Sequence, residues 1–179
     1  MGPFSHRLAR PDDIPAISAL MARAIGQLQA AFLSPAQVAA SAESMGLDTQ
    51  LIDDGTYFAI LDDGVLAGCG GWSRRATLYG GNHAADLRDD RLLDPAREPA
   101  RIRAMYTDPD YVRRGIGRLI LTLCGAAARV EGFTRLELMA TLAGEPLYTA
   151  CGYRVIERAE RLSANGVAVP GAVMGKELA

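Results

Sequence analysis

Between Tyr106 and Leu119 the chain reads Tyr-Thr-Asp-Pro-Asp-Tyr-Val-Arg-Arg-Gly-Ile-Gly-Arg-Leu. Gly115 and Gly117 stand here with Arg113, Arg114 and Arg118. An apolar-leaning run stops at Asp108-Pro109. From Gly115 onward apolar residues recur at Ile116, Leu119, Ile120, Leu123, Ala127 and Val130, the spacing of one helix face. The pattern predicts a strand, a short turn and a helix. Such a turn gathers backbone N–H groups without intrahelical partners, together with the positive end of the helix dipole. Its natural occupant is a phosphate or pyrophosphate. Glycines at 115 and 117 remove β-carbons that would hold an anion off the main chain, and the arginines add mobile positive charge.

Gly-x-Gly alone has rivals. A dinucleotide fold needs a third glycine three residues on, where this chain has Ile120. A Walker A loop needs Gly-Lys-Ser/Thr, which does not follow. With a net charge of −2 and a pI near 5.7, the chain lacks the basic balance of a nucleic-acid binder. Cys69, Cys124 and Cys151 are odd in number and far apart, without zinc or redox spacing. They read as buried free thiols, so no metal is expected. His6 and His83, the two histidines, read as surface residues. No apolar run reaches the roughly 18 residues of a membrane span. The opening Met-Gly-Pro-Phe-Ser-His has no apolar core of a secretory signal. The expected setting is the cytoplasm.

The elements that must position the turn follow from pattern. Phe4 to Ala9 is a short strand, ended by Arg10-Pro11-Asp12-Asp13. Ile14, Ile17, Met21, Ile25 and Leu28 mark a helix over about 13–29. Ser34-Pro35 caps and opens a second helix to about Met45. Thr56–Leu61 and Val65–Trp72 are strands joined by Asp62-Asp63-Gly64, a strong hairpin signal. Gly68, Gly70 and Gly71 in the second of these suggest a bulge or close packing. Ser73 to Pro99 is long, polar and charged, either a loop covering substrate or a solvated excursion. Arg101–Thr107 is a strand with Ile102, Ala104 and Tyr106 on one face and Arg101, Arg103 and Met105 on the other. After the long helix, ended by Gly132, come a strand over Thr134–Ala140, a short helix over Glu145–Cys151, and a hairpin of Tyr153–Ser163 with Val167–Leu178 turning at Asn165-Gly166. The order β-α-α-β-β-β-α-β-α-β-β is a mixed α/β layer fold. At 179 residues, a single domain over 1–179 is expected.

The phrase Met105-Tyr106-Thr107-Asp108-Pro109-Asp110-Tyr111-Val112-Arg113-Arg114-Gly115-Ile116-Gly117-Arg118-Leu119 closely resembles the acyl-CoA-binding segment of the GNAT acyltransferases. There a strand of the form L-Y-V-x-P-x-Y runs into Q/R-x-x-G-x-G/A at a helix start. It departs at Val112, where the family usually has Gln or Arg. Looser similarity covers Arg7, Ala9, Asp12 and Ile17, and the terminal Val173–Leu178. The resemblance implies a mixed central sheet flanked by helices. It also implies pyrophosphate held by the backbone of Val112 to Arg118, and a pantetheine arm paired with the main chain of Met105, Tyr106 and Thr107. In such a family the first two helices flank the acceptor side. Pro146-Leu147-Tyr148-Thr149-Ala150-Cys151-Gly152-Tyr153 resembles the F-Y-x-x-x-G-F helix, which implies that Tyr148 lies beside the acyl-CoA sulfur and protonates the leaving thiolate.

An alkylamine is mostly protonated at neutral pH, so some group or water must take its proton. Glu137, on a strand near the expected centre, and Asp108, ending the preceding strand, are both candidates, and both also read as structural carboxylates. Arg101 and Arg103 read either as anion holders for the acceptor or as salt-bridged strand residues. Trp72 reads as an acceptor-pocket wall or as core. The expectation is an N-acyltransferase that moves acetyl from acetyl-CoA to a small-molecule or peptide amine. The alternative is a module of the same fold that binds acyl-CoA with little or no turnover. The sheet edges exposed in such folds allow a homodimer.

Overall fold

The computed structural model describes residues 4–178; Met1 to Pro3, part of the N-terminal stretch read above, and Ala179 lie outside them. In chain order the elements are β1 (Ser5–Leu8), α1 (Ile14–Leu28), α2 (Pro35–Ser41), α3 (Thr49–Asp53), β2 (Tyr57–Asp62), β3 (Val65–Ser73), β4 (Ala100–Thr107), α4 (Ile116–Val130), β5 (Arg135–Thr141), α5 (Glu145–Ala150), β6 (Arg154–Leu162) and β7 (Ala168–Glu177). The order matches the reading apart from α3, a short added helix, and α2, which stops before Met45. Asp48 caps α3 by accepting from the Gln50 N–H, and Ser34 caps α2 through Gln37. Among the described residues no helix is long and apolar enough to cross a membrane.

Seven strands form one sheet in the order β1-β2-β3-β4-β5-β7-β6. The β4–β5 pair is parallel; its neighbours are antiparallel. At the predicted hairpin turn Asp63 and Gly64 both take positive φ, 48° and 84°, the mirror-image geometry that suits strand twist. Apolar clusters fill both faces. One packs α4 and α5 against the sheet; the other packs α1 and α3.

The glycines of β3 serve close packing. A β-carbon on Gly68 would stand 2.4 Å from Ile116, and one on Gly70 would stand 2.7 Å from Ile120. Their absence lets α4 lie directly on the strand. The buried face of α4 is Ile116, Ile120, Leu121, Cys124, Gly125 and Ala128, rotated from the stripe expected. Val130 is 88 % exposed. Ile116 and Ile120 fill the room that the strand glycines leave, and Cys124, Gly125 and Ala128 continue the same face, while Leu119, Leu123 and Ala127 are only partly covered. Cys69 and Cys124 are buried, but Cys151 is half-buried, which corrects its reading as a buried thiol.

In β4 the expected alternation breaks. Ala104 has φ 49°, and Ala104 with Met105 spans the step that Gly70 alone makes in β3, between Arg103↔Gly71 and Tyr106↔Cys69. This is a bulge, with its added bend and twist. It sends Tyr106 into the α1-side cluster, opposite Ile102.

Candidate active site

Pairing between β4 and β5 is confined to Ala100↔Leu136 and Arg101↔Glu137. Beyond them the parallel strands separate. The edge of β4 from Ile102 to Thr107 has no strand partner on that side, and a cavity of about 830 Å³ opens between the strands. Ile102 to Thr107 line one wall and Leu138 to Thr141 the other. The Tyr111–Arg118 turn closes one region of the cavity, with α5 beside it through Pro146, Leu147 and Tyr148.

The turn has a backbone geometry that suits an anion. Asp108 caps the short 3-10 segment Pro109–Tyr111 by accepting from the Asp110 N–H. Arg113 and Gly115 then take φ 64° and 88°, and α4 begins at Ile116 without a side-chain cap. Among the described residues, none of the backbone N–H groups from Val112 to Arg118 has a hydrogen-bond acceptor within the chain. Unpaired amides beside left-handed residues at a helix start suit a phosphate. Gly115 meets its φ requirement with open space where a β-carbon would lie, whereas a β-carbon on Gly117 would meet Leu147 at 2.5 Å. The reason for Gly117 is thus contact with α5, not only anion approach.

The arginines divide. Arg113 and Arg118 line the cavity, and Arg114 does not. Arg114 donates to Asp62 at 3.1 Å and lies over the rings of Phe4 and Tyr111, 4.7 and 4.9 Å from their centroids. Its side chain is therefore withdrawn from the expected cofactor-binding set. Val112, the departure from the resembled pattern, lines the cavity and is 41 % exposed.

Tyr148 lies on the cavity wall with its ring edge-on to Tyr153, centroids 6.0 Å apart. Gly144 makes room for the ring, since a β-carbon there would stand 2.8 Å from it. Among the described residues the Tyr148 hydroxyl has no hydrogen-bond partner. Burial, followed by Cys124 and Cys151, pushes this phenol up to about 12. It is a protonated donor at neutral pH. Met105, Tyr106 and Thr107 line the same cavity. The Tyr106 hydroxyl accepts from the Gly46 N–H at 3.0 Å, which ties the α2–α3 connection to β4. The Tyr57 hydroxyl donates to Ala104 O at 2.7 Å and pins the bulge.

Glu137 is not brought to this site. It sits where β4 and β5 are still paired, bound to Arg101, and it is absent from the cavity wall. Asp108 is bound to Arg23 at 2.7 Å. Arg103 is also structural: 3 % exposed, it donates to Asp48 at 2.8 Å and to the carbonyls of Gly80 and Thr77. Burial lowers its guanidinium while Asp48 opposes the fall. Arg88 adds a second bond to Asp48. Together they fasten the 73–99 segment, and Leu78, Tyr79 and Gly80 become cavity wall. Trp72 packs edge-on against Phe133 in the core.

The far end of the cavity collects residues that carried no motif. Ile25, Leu28, Phe32 and Met45 come from the α1–α2 region, and Glu160, Arg161 and Ser163 from β6 and its turn. Gln29 lies there too, 3 % exposed. Its Nε2 donates to Ser41 Oγ at 2.9 Å and approaches Met45 Sδ. Ser41 Oγ in turn donates to Val38 O, so that hydroxyl can only accept from Gln29, which fixes the amide orientation. Gln29 Oε1 is left with no partner. Glu160 is the one acidic residue on the cavity wall among the described residues. These residues come from three separate stretches of chain, so sequence spacing offered no signal for them.

The profile of the acetyltransferase (GNAT) family matches residues 23–153. A GCN5-related N-acetyltransferase from Rhodopseudomonas palustris superposes with a TM-score of 0.72 at 21% identity, over 99% of this chain and 98% of that one. The PaiA N-acetyltransferase from Thermoplasma acidophilum, solved with coenzyme A, gives 0.64 at 11% identity, over 98% and 99%. The yncA protein from Salmonella typhimurium, solved with acetyl-CoA, gives 0.64 at 17% identity, over 99% and 95%. At these identities the likenesses show a shared fold. No curated protein sequence matches the chain.

Proposed function

Because the chain belongs to the acetyltransferase (GNAT) family, we propose that it is an N-acetyltransferase that moves acetyl from acetyl-CoA to a primary amine by direct attack. The observation that carries this reading is the meeting, in one cavity, of a turn of unpaired N–H groups, a strand edge without a partner, and a phenol with no partner of its own. The coenzyme-bound neighbours from Thermoplasma and Salmonella support the donor.

In this reading the N–H groups of Val112 to Arg118 hold the pyrophosphate, with Arg113 and Arg118 adding charge. The main chain of Met105 to Thr107 pairs with the pantetheine amides and directs the thioester carbonyl. The amine nitrogen forms the new bond to the acyl carbon as the carbon–sulfur bond breaks. Tyr148 gives its proton to the thiolate, a weaker base than the phenolate it leaves behind, and regains one from solvent. The amine proton leaves through water at the open end, where Glu160 stands. The acceptor body rests on Ile25, Leu28, Phe32 and Tyr79. The acceptor favoured is therefore an amine on an apolar stem.

The test is thiol release from acetyl-CoA across a panel of primary amines, with coenzyme A affinity measured separately. Amine-dependent thiol release is expected. Tight coenzyme binding without release across the panel would instead favour a binding module, and no coenzyme binding would remove both readings.

A further inference from the structure

The strand at the end of the sheet, β6, pairs with β7 alone among the described residues, so its other edge is open. Open edges invite pairing with another strand, and charged side chains are the usual deterrent. Here the charges have an order. From Ile156 to Leu162 the strand reads Ile-Glu-Arg-Ala-Glu-Arg-Leu. Laid antiparallel against itself about Ala159, it sets Glu157 opposite Arg161, Arg158 opposite Glu160, and Ile156 opposite Leu162. Every charge in the run meets its opposite, twice over by symmetry. Directly opposed residues in an antiparallel pair project on the same face, which is the geometry in which such pairs attract.

The structure supplies the remaining conditions. Ile156 and Leu162 are 62% and 64% exposed, large apolar residues with nothing over them. Glu157 and Glu160 form no ion pair among the described residues, while Arg158 and Arg161 lean on Glu145 and Asp86. The register with β7 is regular from Glu157 to Leu162, which covers the four charged residues, and the bulge at Ile156 falls at the end of the run. We propose that the β6 edge is a self-complementary interface, through which a second copy of this chain extends the sheet across a twofold axis at Ala159. An isologous contact of this kind closes on itself and stops at the dimer. Since Ala159, Glu160 and Arg161 also line the cavity, the strand of the second copy would border its open end.

Sedimentation equilibrium of the full chain, from about 5 to 200 µM to suit an interface of modest size, tests this with Glu157→Arg and Arg161→Glu. Each substitution sets like charges opposite one another at both symmetry-related positions, and should weaken self-association about tenfold. Mixed, the two variants regain opposite charges at both positions, so the mixture should form a heterodimer about as tight as the wild-type dimer. Glu157 is exposed and unpaired, so its variant should fold normally, which circular dichroism checks. A wild-type chain monomeric throughout this range, or a Glu157→Arg variant that associates as well as wild type, would overturn the proposal.

Discussion

Gly117 in the first turn of α4 lies against Leu147 of α5, so closely that a β-carbon on the glycine would stand 2.5 Å from Leu147 Cδ2. This contact joins the turn to the helix that carries Tyr148. Adding a methyl group should therefore disturb both ends of the site. Gly117→Ala is expected to weaken coenzyme A binding and to lower turnover together. Removing the opposing side chain should relieve it, so Gly117→Ala with Leu147→Ala should bind better than the two separate effects imply, with a coupling of about 1 kcal/mol. Calorimetric titration of the four proteins in the cycle measures this, and strictly additive losses would show that the two helices act independently.

Tyr148→Phe keeps the ring and removes the proton. It should lower kcat by about 10² to 10⁴ and leave coenzyme A affinity unchanged. Burial lifts the phenol to about 12, so the wild-type rate should rise with pH as the amine loses its proton, and should not fall for want of phenolic proton until about pH 11. The same shift bears on stability: the raised value favours the fold below the ordinary phenol range, near 10, and that contribution fades as pH climbs toward 12. A pH–rate profile of wild type and variant separates the roles, and an unaltered rate in Tyr148→Phe removes the phenol from the mechanism.

The three arginines of the turn should behave differently. Arg113→Ala and Arg118→Ala are expected to weaken coenzyme A binding by roughly fivefold to tenfold each and to reduce its salt dependence, as loss of a partly exposed phosphate contact does. Arg114→Ala should leave binding nearly unchanged and lower stability by about 1 kcal/mol, through its ion pair with Asp62 and its stacking on Phe4 and Tyr111. Titrations at two ionic strengths, with urea unfolding, distinguish the two groups.

Arg103 and Asp48 form a pair with side chains only 3 % and 1 % exposed. Asp48→Ala leaves a buried cation without its carboxylate and should cost about 3–5 kcal/mol. Arg103→Met fills similar space without the charge, yet also releases the carbonyls of Thr77 and Gly80. Its melting temperature should fall, and its KM for the amine should rise more than its KM for acetyl-CoA, because Leu78 to Gly80 form the wall away from the turn. Equal changes in both constants would argue that this segment does not shape the acceptor end.

The sequence by itself determined the order of the strands and of every helix but α3, the Asp63-Gly64 reversal, and the strand–turn–helix from Met105 to Leu119. Those features are local: glycine at a left-handed position, a cap two residues from its N–H, and apolar spacing are all written within a few residues of one another. Only the tertiary structure decided which charges are free. Arg114 and Arg118 look alike in sequence, but Asp62 draws one away from the cavity across 52 positions of chain. Glu137 looked central, but the strands separate just beyond it and leave it bound to Arg101. The buried face of α4 was likewise set by the glycines of β3, whose missing β-carbons leave room for Ile116 and Ile120. Pairing of charges and closeness of packing depend on partners that no window of sequence contains, and so the acceptor wall from Gln29 to Arg161 emerged only when the chain was folded.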